Sequence, residues 1–546
     1  MALGAEVLSG QSVTTVAAES VKLPAIDYLA LLPMLVLFGA ACVGVLIEAF
    51  APKAQRYRLQ APLAIVSLLV SLAAVVLVAD KRITTAGGAI AIDGPALFLQ
   101  GGVAALGVVA LLLIAERTLE RGGAFATRAS LAAVSAGGAS PGATSAEGNG
   151  GQSARAENGA DAEQPAATEV YPLTLFALAG MMLFVAANDL LTLFVALEVL
   201  SLPLYLLCGL ARRRRLLSQE AAVKYFLLGA FASAFFLYGV ALLYGFAGSP
   251  ALSDLRQAVQ SGEGNTVLLF LGMAMLAVGL LFKAAAVPFH VWTPDVYQGA
   301  PTPITAMMAA CTKLAAFGGL LRVFTVAFPV QQADWRPVLV AVAIATMAIG
   351  AIMAVTQTDI KRLLAYSSIA NAGYVLTGVM AFSPEGVSGV MFYLVAYGFT
   401  VLAAFGVVTL VRDADGEATH IARWAGLGRR SPLVAGVFTF LMLAFAGIPL
   451  TSGFTAKFAV FSAALGSGQL GLVIVGVLSS AVLAFPYLRI VVLMYLSEPA
   501  EDTPLVSVPG VLTSAALTIG VVATALLGVL PASVLELAAS AAGFVS

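Results

Sequence analysis

The sequence predicts an all-α polytopic membrane protein with about 14 transmembrane helices, including two inverted five-helix repeats that each contain a broken helix. The first observation is the composition: 60% of the 546 residues are hydrophobic and 10% are charged, whereas soluble domains carry about 25% charged residues. The second is that apolar runs of about 20 residues, long enough to cross a bilayer, recur along nearly the whole chain. The third is that proline interrupts two of these runs in a similar way.

The apolar runs and the polar stretches between them divide the chain into six parts. These are an N-terminal segment (1–27), three spans (28–121), a polar loop (122–169), a first five-span repeat (170–335), a second five-span repeat (336–496), and a final span with the C-terminus (497–546). The loop is rich in Ala, Gly and Ser, so it cannot bury a core and we expect it to be disordered. The segment 1–27 contains a single basic residue, Lys22, and we expect no cleavable signal peptide.

The two broken spans are the seventh (266–298) and the twelfth (432–466). Pro288 lacks the N–H that would bond to the carbonyl of Ala284, and Pro449 lacks the one for Phe445. Because the two spans are five apart, the units that contain them run in opposite directions through the membrane. This indicates an inverted repeat, spans 4–8 and 9–13, and such repeats place their sites at the broken helices.

Basic residues are distributed unequally between the two sides of the predicted membrane. Of the 28 Lys and Arg residues, 17 follow odd-numbered spans, 6 lie on the other side and 5 lie within spans. Loops rich in Lys and Arg remain in the cytoplasm. We therefore expect both termini outside and the loop 122–169 in the cytoplasm.

Several classes of function have no support in the sequence. The three cysteines stand alone in apolar runs, so no spacing suggests a metal site or an iron–sulfur cluster. There are two histidines and the net charge is −1. We expect no metal, no cofactor in this chain and no nucleic-acid partner; the lipid bilayer and protons are the expected partners.

Glu198 is the first charged residue predicted near the middle of the membrane, nine residues after Asp189 and fourteen before Arg212. A charge at the centre of a membrane helix costs about 2.5–3.5 kcal/mol, and such residues often mark ion or proton pathways. Glu198 is therefore a candidate protonatable site; the alternative is a structural ion pair.

Four lysines in the predicted spans are the other candidates: Lys224, Lys283, Lys313 and Lys457. Burial disfavours the charged form of a lysine, and a nearby positive charge disfavours it further. A lysine in this position can lose its proton when a neighbour gains one, which is the chemistry of a proton relay. The alternative for Lys283 and Lys313 is a structural charge.

Lys224 can modulate the proton affinity of Glu198 from the next helix, or pair with Glu220 at i−4 on its own helix. His290 follows Pro288 at the first break, and an imidazole titrates near neutrality. It can pass protons towards the lysines, or it can satisfy backbone groups that the break leaves free.

Four long motifs resemble the antiporter-like membrane subunits of respiratory complex I, the bacterial NADH-quinone oxidoreductase. They are NDLLTLFVALEVLSLPLYLL, KAAAVPFHVWTPDVYQGAPTPITA, QTDIKRLLAYSSIANAGY and GLGRRSPLVAGVFTFLMLAFAGIPLTSGFTAKF. The resemblance covers roughly residues 170 to 500. Two features depart from the family pattern: Asn371 stands where many relatives have histidine, and the loop 122–169 has no counterpart.

The resemblance implies a 14-helix proton-translocating module in a multi-pass protein of the bacterial plasma (inner) membrane, partnered by the other membrane-arm subunits. It implies that Glu198 and Lys224 form an input-side pair, that Lys283 and Lys313 are the central relay, and that Lys457 is the output-side lysine. NADH oxidation and quinone reduction then occur in other subunits. Two alternatives are a cation/proton antiporter subunit of the Mrp type and a structural spacer of the membrane arm.

Overall fold

A computed structural model of the chain describes residues 26–119, 124–125, 167–211, 214–262, 264–413, 416–499 and 503–545. Within these residues, twelve helices are long and apolar enough to cross a membrane. The apolar helix Val170–Ala186 has 17 residues, and Pro432–Ala446 and Ser452–Gly466 form one further, broken span of two 15-residue halves. Twelve, one and one make the 14 spans that the sequence predicts, and the fold class is confirmed.

The helices, in chain order, are α1 Leu32–Phe50, α2 Lys53–Leu77, α3 Gly94–Ala115, α4 Val170–Ala186, α5 Leu190–Cys208, α6 Arg215–Ala247, α7 Leu252–Ser261, α8 Thr266–Ala284, α9 Trp292–Gly299, α10 Thr302–Met307, α11 Lys313–Arg322, α12 Gln332–Val355, α13 Ile360–Ala381, α14 Pro384–Val408, α15 Leu427–Arg430, α16 Pro432–Ala446, α17 Ser452–Gly466, α18 Leu470–Leu496, α19 Val511–Val529 and α20 Ala532–Ser540. Two π-helical turns, Met308–Thr312 and Val323–Ala327, continue α10 and α11 into a single span, and a 3₁₀ turn covers Ile421–Trp424. The short strands are β1 Ile83–Thr85, β2 Ile90–Ile92, β3 Val411–Asp413, β4 Gly416–Glu417 and β5 Leu505–Val506.

The described strands lie in the connections between spans, and the described spans are helical apart from the turns at the two breaks. β1 pairs with β2, and β3 pairs with both β4 and β5, all antiparallel. Several spans begin at a side chain that accepts a backbone N–H of the first turn, which satisfies donors that a helix leaves free. These capping residues are Asp93, Asp189, Asp359 and Ser383.

The spans form an inner and an outer layer. The span formed by α10 and α11 and the span α13 are buried along the whole of their apolar stretch. The outer helices α6 and α18 are buried along only a third of theirs, and they carry apolar side chains on the face that lipid would cover. Polar residues on the inner helices are therefore shielded from lipid by protein on all sides.

The first break differs from the sequence-based expectation. The helix α8 ends at Ala284, and Ala285 adopts a left-handed conformation with φ 61°. Ala286 donates its N–H to Leu281 at 2.9 Å, which closes the helix end. The helix therefore stops before Pro288, which follows a cis peptide bond, because a backbone reversal at Ala285 has already ended the hydrogen-bond ladder.

The second break has the same form as the first. The helix α16 ends at Ala446, and Gly447 takes φ 83°, a value that glycine adopts without steric cost. The next helix, α17, begins at Ser452. Pro449 lies in the intervening turn.

Arg322 is one of the six basic residues that the sequence analysis places on the outer side of the membrane, and its burial was not predicted. It ends α11 and is completely buried, with its guanidinium paired to both carboxylate oxygens of Asp93 at 2.7 and 2.9 Å. The backbone N–H of Val545 also donates to Asp93, at 3.1 Å. The sequence pattern does not reveal this pair because its two residues lie 229 positions apart.

Both ends of the described chain lie on one face of the helical bundle. Asp27, before α1, pairs with Lys81, after α2, and Val545 contacts Asp93 at the start of α3. The expected disorder of the loop 122–169 and the expected outer position of the segment 1–27 fall almost entirely outside the described residues. Of that loop, Phe125 is buried and bridges to Ala211.

Candidate proton relay

Lys283 lies in the last turn of α8 and is 4% exposed. Its Nζ donates to the hydroxyl of Ser201 on α5 at 2.7 Å and to the hydroxyl of Tyr225 on α6 at 3.2 Å. Ser201 in turn donates to the carbonyl of Leu197. The ammonium is therefore held by hydroxyl oxygens, which can both accept and donate a proton.

Aromatic rings enclose this lysine. Its Nζ lies 5.3 Å from the ring centroid of Tyr225 and 5.9 Å from that of Tyr205, within the range of cation–π attraction. Tyr225 stacks on Trp292, the first residue of α9, with 4.7 Å between centroids. The indole of Trp292 donates to the Phe282 carbonyl at 3.0 Å, so the second half of the broken span holds the first half in place.

Glu198 lies one helical turn before Ser201 on α5 and is partly buried. It lies on the same face of α5 as Ser201, whose hydroxyl accepts from Lys283. Its Oε1 atom is buried and has no hydrogen-bond partner among the described residues. Glu198 and Lys283 therefore share one environment without forming a closed ion pair.

Lys313 follows directly after the π-helical turn Met308–Thr312 and is 3% exposed. A π-helical turn widens a helix locally and is frequent at functional sites. The Nζ of Lys313 donates to the backbone carbonyl of Ser368 on α13 and lies 5.6 Å from the ring centroid of Tyr397 on α14. This lysine reaches from the first repeat into the second.

Lys457 lies on α17, just after the second break, and is 7% exposed. Its Nζ donates to three oxygens: the Phe445 carbonyl at 2.9 Å, the Ala446 carbonyl at 3.1 Å and the Ser480 hydroxyl at 2.7 Å. These three bonds use all three N–H groups of an ammonium. The freed carbonyl of Phe445 is thus satisfied by the lysine.

Lys224 contacts Glu220, the alternative partner that the sequence indicates, and also Asp295. Its Nζ lies 2.7 Å from Glu220, the i−4 residue on α6, and 2.7 Å from Asp295 on α9. Asp295 also pairs with Arg362 on α13 at 2.7 Å. One carboxylate on the second half of the broken span therefore joins cations from the two repeats.

His290 lies in the turn between α8 and α9 and is partly buried. Its Nδ1 is buried without a hydrogen-bond partner among the described residues. The alternative in which His290 satisfies backbone groups at the break therefore stays a prediction. A role in proton transfer remains a prediction.

Comparison with known proteins decides the family. Residues 187–483 match the family described as "NADH:quinone oxidoreductase/Mrp antiporter, TM". The chain is 66% identical over 534 residues to "NADH-quinone oxidoreductase subunit N" of Salinispora arenicola, which covers 96% of this chain and 100% of the relative. It is 59% identical over 535 residues to the protein of the same name from Rhodococcus opacus, a match that covers 97% of this chain and 98% of the relative. The chain belongs to the subunit N family.

Solved structures agree with this family. A chain of respiratory complex I from Thermus thermophilus is 32% identical, covers 93% of this chain and 99% of its own length, and has a TM-score of 0.72. A chain of the Mrp complex from Dietzia is 23% identical, covers 95% of this chain and 97% of its own length, and has a TM-score of 0.76. At that identity the second likeness concerns the fold alone.

In this subunit N family member, the candidate residues fall into two groups. In the first repeat Ser201, one helical turn from Glu198, bonds to Lys283; in the second, Tyr397 lies near Lys313 and lines a small cavity beside Lys457. Lys224 and His290 lie at the edges. Within the described residues, no cluster of three or more His, Cys, Asp or Glu could hold a metal ion.

Sequence reasoning missed several residues that complete the site: Ser201, Tyr225, Asp295 and Ser480. The hydroxyl residues carry no charge, so they do not stand out in an apolar run. Asp295 offered a signal, because it is an acidic residue only seven positions after Pro288 in the broken span. Its two cationic partners lie on other helices and depend on the fold.

Proposed function

We propose that protons cross the membrane through this chain along Glu198, Lys283, Lys313 and Lys457, with Lys224 on the input side and His290 as a further candidate at the first break. As a member of the subunit N family, the chain is a proton-translocating membrane subunit of NADH-quinone oxidoreductase. Proton passage is coupled to electron transfer from NADH to quinone in other subunits.

One observation carries the assignment of the relay: three lysines are more than nine-tenths buried, yet none forms an ion pair with a carboxylate in the described part of the chain. Oxygens of hydroxyls and backbone carbonyls hold them instead. A buried charge that serves structure alone is normally paired. These lysines are therefore suited to a cycle in which the amine is neutral for part of the time.

Two other buried cations of the chain differ from these lysines, because each has a carboxylate partner. Arg322 is fully buried and is paired bidentately with Asp93, and Lys361 is 3% exposed with Glu417 at 3.9 Å. Both have carboxylate partners, as structural charges do. An arginine also cannot release its proton in a protein, so the relay role falls to the unpaired lysines.

The orientation of the chain follows from its basic residues. We infer a bacterial plasma membrane location with both termini outside, because the loops after odd-numbered spans hold the large majority of Lys and Arg. Protons would then move from the cytoplasm to the outside. The redox centres would lie in other subunits, since this sequence contains neither a dinucleotide fingerprint nor ligands for an iron–sulfur cluster.

The test is NADH-driven proton pumping in inside-out vesicles that carry Lys283→Ala in the intact complex. The matched control is Lys53→Ala, which removes an exposed lysine at the start of α2. We expect the control to pump normally and Lys283→Ala to lose most pumping and coupled NADH oxidation while the complex still assembles on native gels. Normal pumping by an assembled Lys283→Ala complex would contradict the proposal and favour the structural-spacer alternative.

A further inference from the structure

A cavity of about 250 Å³ lies on the face of the bundle that holds both ends of the described chain. Its walls come from α7, from the π-helical turn after α11, from the link between α13 and α14, and from the residues after α20. Each of these segments lies where a span begins or ends. The cavity is therefore at the depth where the apolar core of a bilayer gives way to the lipid headgroups.

The helix α7 sets the position of Arg256 at this depth. It connects the spans α6 and α8 and buries Leu252, Leu255 and Val259 along one side, so it is a short amphipathic helix. Helices of this kind lie in the plane of the membrane interface. Arg256 lines the cavity from this helix, and its charge is thus placed at the level of the headgroups.

Two donors at the cavity are free to bind a ligand. The guanidinium of Arg256 has no hydrogen bond and no ion pair with any residue that the structure describes. The hydroxyl of the partly buried Thr325, in the π-helical turn after α11, also lacks a partner among those residues. No carboxylate lines the described wall. A guanidinium and a hydroxyl are donors that suit the oxygens of a phosphate.

The rest of the wall is apolar, and this property decides which phosphate fits. The apolar side chains are mainly those of Leu321, Val326, Val379, Phe382, Val387 and Phe544. A free inorganic phosphate has no apolar surface to bury against them. The cavity is smaller than the roughly 300–1,000 Å³ of sites that enclose a whole drug-sized ligand. It suits a headgroup and the first carbons of a lipid whose chains stay in the bilayer.

We propose that this cavity binds the phosphate headgroup of an anionic phospholipid, with Arg256 and Thr325 as its donors. One basic residue near a membrane surface strengthens the binding of anionic lipid by roughly fivefold. The bound lipid would join α7 of the first repeat to α13 and α14 of the second. The proposal is independent of the proposed function, since none of the candidate relay residues lines the cavity.

The test uses the purified intact complex and a phosphatidylglycerol that carries a photoactivatable diazirine on its first acyl carbons. After illumination, mass spectrometry quantifies the label on residues 379–387 and 542–544. We expect label on both segments in the wild type and a loss of roughly fivefold in Arg256→Gln. The matched control is Arg82→Gln, which removes an exposed arginine on the same face that does not line the cavity, and it should be labelled like the wild type.

Equal labelling of the wild type and an assembled Arg256→Gln complex would overturn the proposal. Absence of label from both segments in the wild type would overturn it as well, and would favour a side chain of a partner subunit as the occupant of the cavity.

Competition distinguishes the possible sources of the phosphate group. Excess unlabelled phosphatidylglycerol should displace the label, whereas the same concentration of phosphatidylcholine or of inorganic phosphate should displace much less. Equal displacement by phosphatidylcholine would overturn the preference for an anionic lipid. Equal displacement by inorganic phosphate would identify a site for a free anion and overturn the assignment to a lipid.

A second variant keeps the proposal testable if Arg256→Gln fails to assemble. Ala542 lines the cavity just after α20 and is 9% exposed, so Ala542→Leu fills part of the cavity without removing a charge. We expect the label on residues 379–387 to fall as it does in Arg256→Gln. Unchanged labelling of this segment in Ala542→Leu would contradict a headgroup in this cavity.

Discussion

The Nζ atom of Lys457 lies 2.9 Å from the carbonyl oxygen of Phe445, which is left free where the left-handed Gly447 ends α16. The ammonium therefore replaces a backbone N–H at the second break. Within a membrane, a carbonyl freed at a helix end must find such a partner. Two N–H groups of Lys457 bond to backbone carbonyls, and the same ammonium belongs to the proposed relay.

Replacement of Lys457 separates these two roles. Lys457→Met should lose stability by about 1–3 kcal/mol, because two buried carbonyls lose their donor, and should also lose proton pumping. Lys457→Arg should recover much of the stability, since a guanidinium donates to carbonyls, but not the pumping, because arginine is not deprotonated in proteins. Thermal unfolding of the purified complex and vesicle pumping measure the two effects. Pumping by Lys457→Arg would contradict this account.

Gly447 is a second point of sensitivity at the same break. It takes φ 83°, and a methyl group there would lie 3.1 Å from Nζ of Lys457. Gly447→Ala should cost about 1–2 kcal/mol for the left-handed backbone and displace the lysine, so pumping should fall. Gly436→Ala is the matched control on the same helix, where a methyl group meets nothing within 4 Å. The control should be neutral or slightly stabilising in thermal unfolding.

Asp295 holds together Lys224 and Arg362, which come from different repeats. Asp295→Asn should leave these two cations without their shared carboxylate and lower stability by roughly 1 kcal/mol, a modest value because the network is partly exposed. Glu220→Gln removes only the i−4 partner of Lys224 and should cost less. Thermal unfolding of both variants, combined with Lys224→Met in a double-mutant cycle, measures the coupling. A coupling near zero for Asp295 would show that the network contributes nothing.

The hydrogen bonds of Glu116, at the end of α3, predict that the stability of the fold decreases in acid. Burial raises the pKa of Glu116, but hydrogen bonds from Thr118, Thr513 and Arg117 together lower it by more. The pKa of this carboxyl therefore lies below its usual value. A group whose pKa is lower in the folded than in the unfolded state stabilises the fold above the unfolded pKa of about 4.3. That contribution is lost as the pH falls through the folded pKa.

The measurement is thermal unfolding of the wild type between about pH 6 and pH 3. We expect the wild type to lose stability in this range and Glu116→Gln to lose less, because the variant starts without the carboxylate. Glu536→Gln, on the exposed side of α20, is the control and should follow the wild type. An identical pH profile for Glu116→Gln and the wild type would refute the prediction.

The sequence predicted what depends on local chemistry and missed what depends on distant partners. Apolar run lengths sufficed for the number of spans, and the prolines indicated the two broken spans. The helix ends at Ala284 and Ala446 were not predicted, because they depend on the backbone reversals at Ala285 and Gly447, which precede the prolines. The burial of Arg322 was not predicted for the same kind of reason, since its partner Asp93 lies in a different part of the chain.

The candidate site shows the same division. Each lysine was found because a charge in an apolar run is conspicuous. Their partners were not, because Ser201 and Tyr225 are ordinary residues of membrane helices until the fold brings them to Lys283. Lys224 was expected either to act on Glu198 or to pair with Glu220; it contacts Glu220 and also Asp295, which the sequence did not indicate. The roles of these residues in proton transfer remain predictions for the experiments above.

The buried pair of Asp93 and Arg322 also has a consequence for the order in which the chain is made. The two residues are separated by 229 positions, and ribosomes add about 5–20 residues each second. Asp93 therefore emerges roughly 10 to 45 seconds before Arg322 exists. During the insertion of the next five spans, the carboxylate at the start of α3 therefore has to be accommodated without its counter-ion, which has not yet been synthesised.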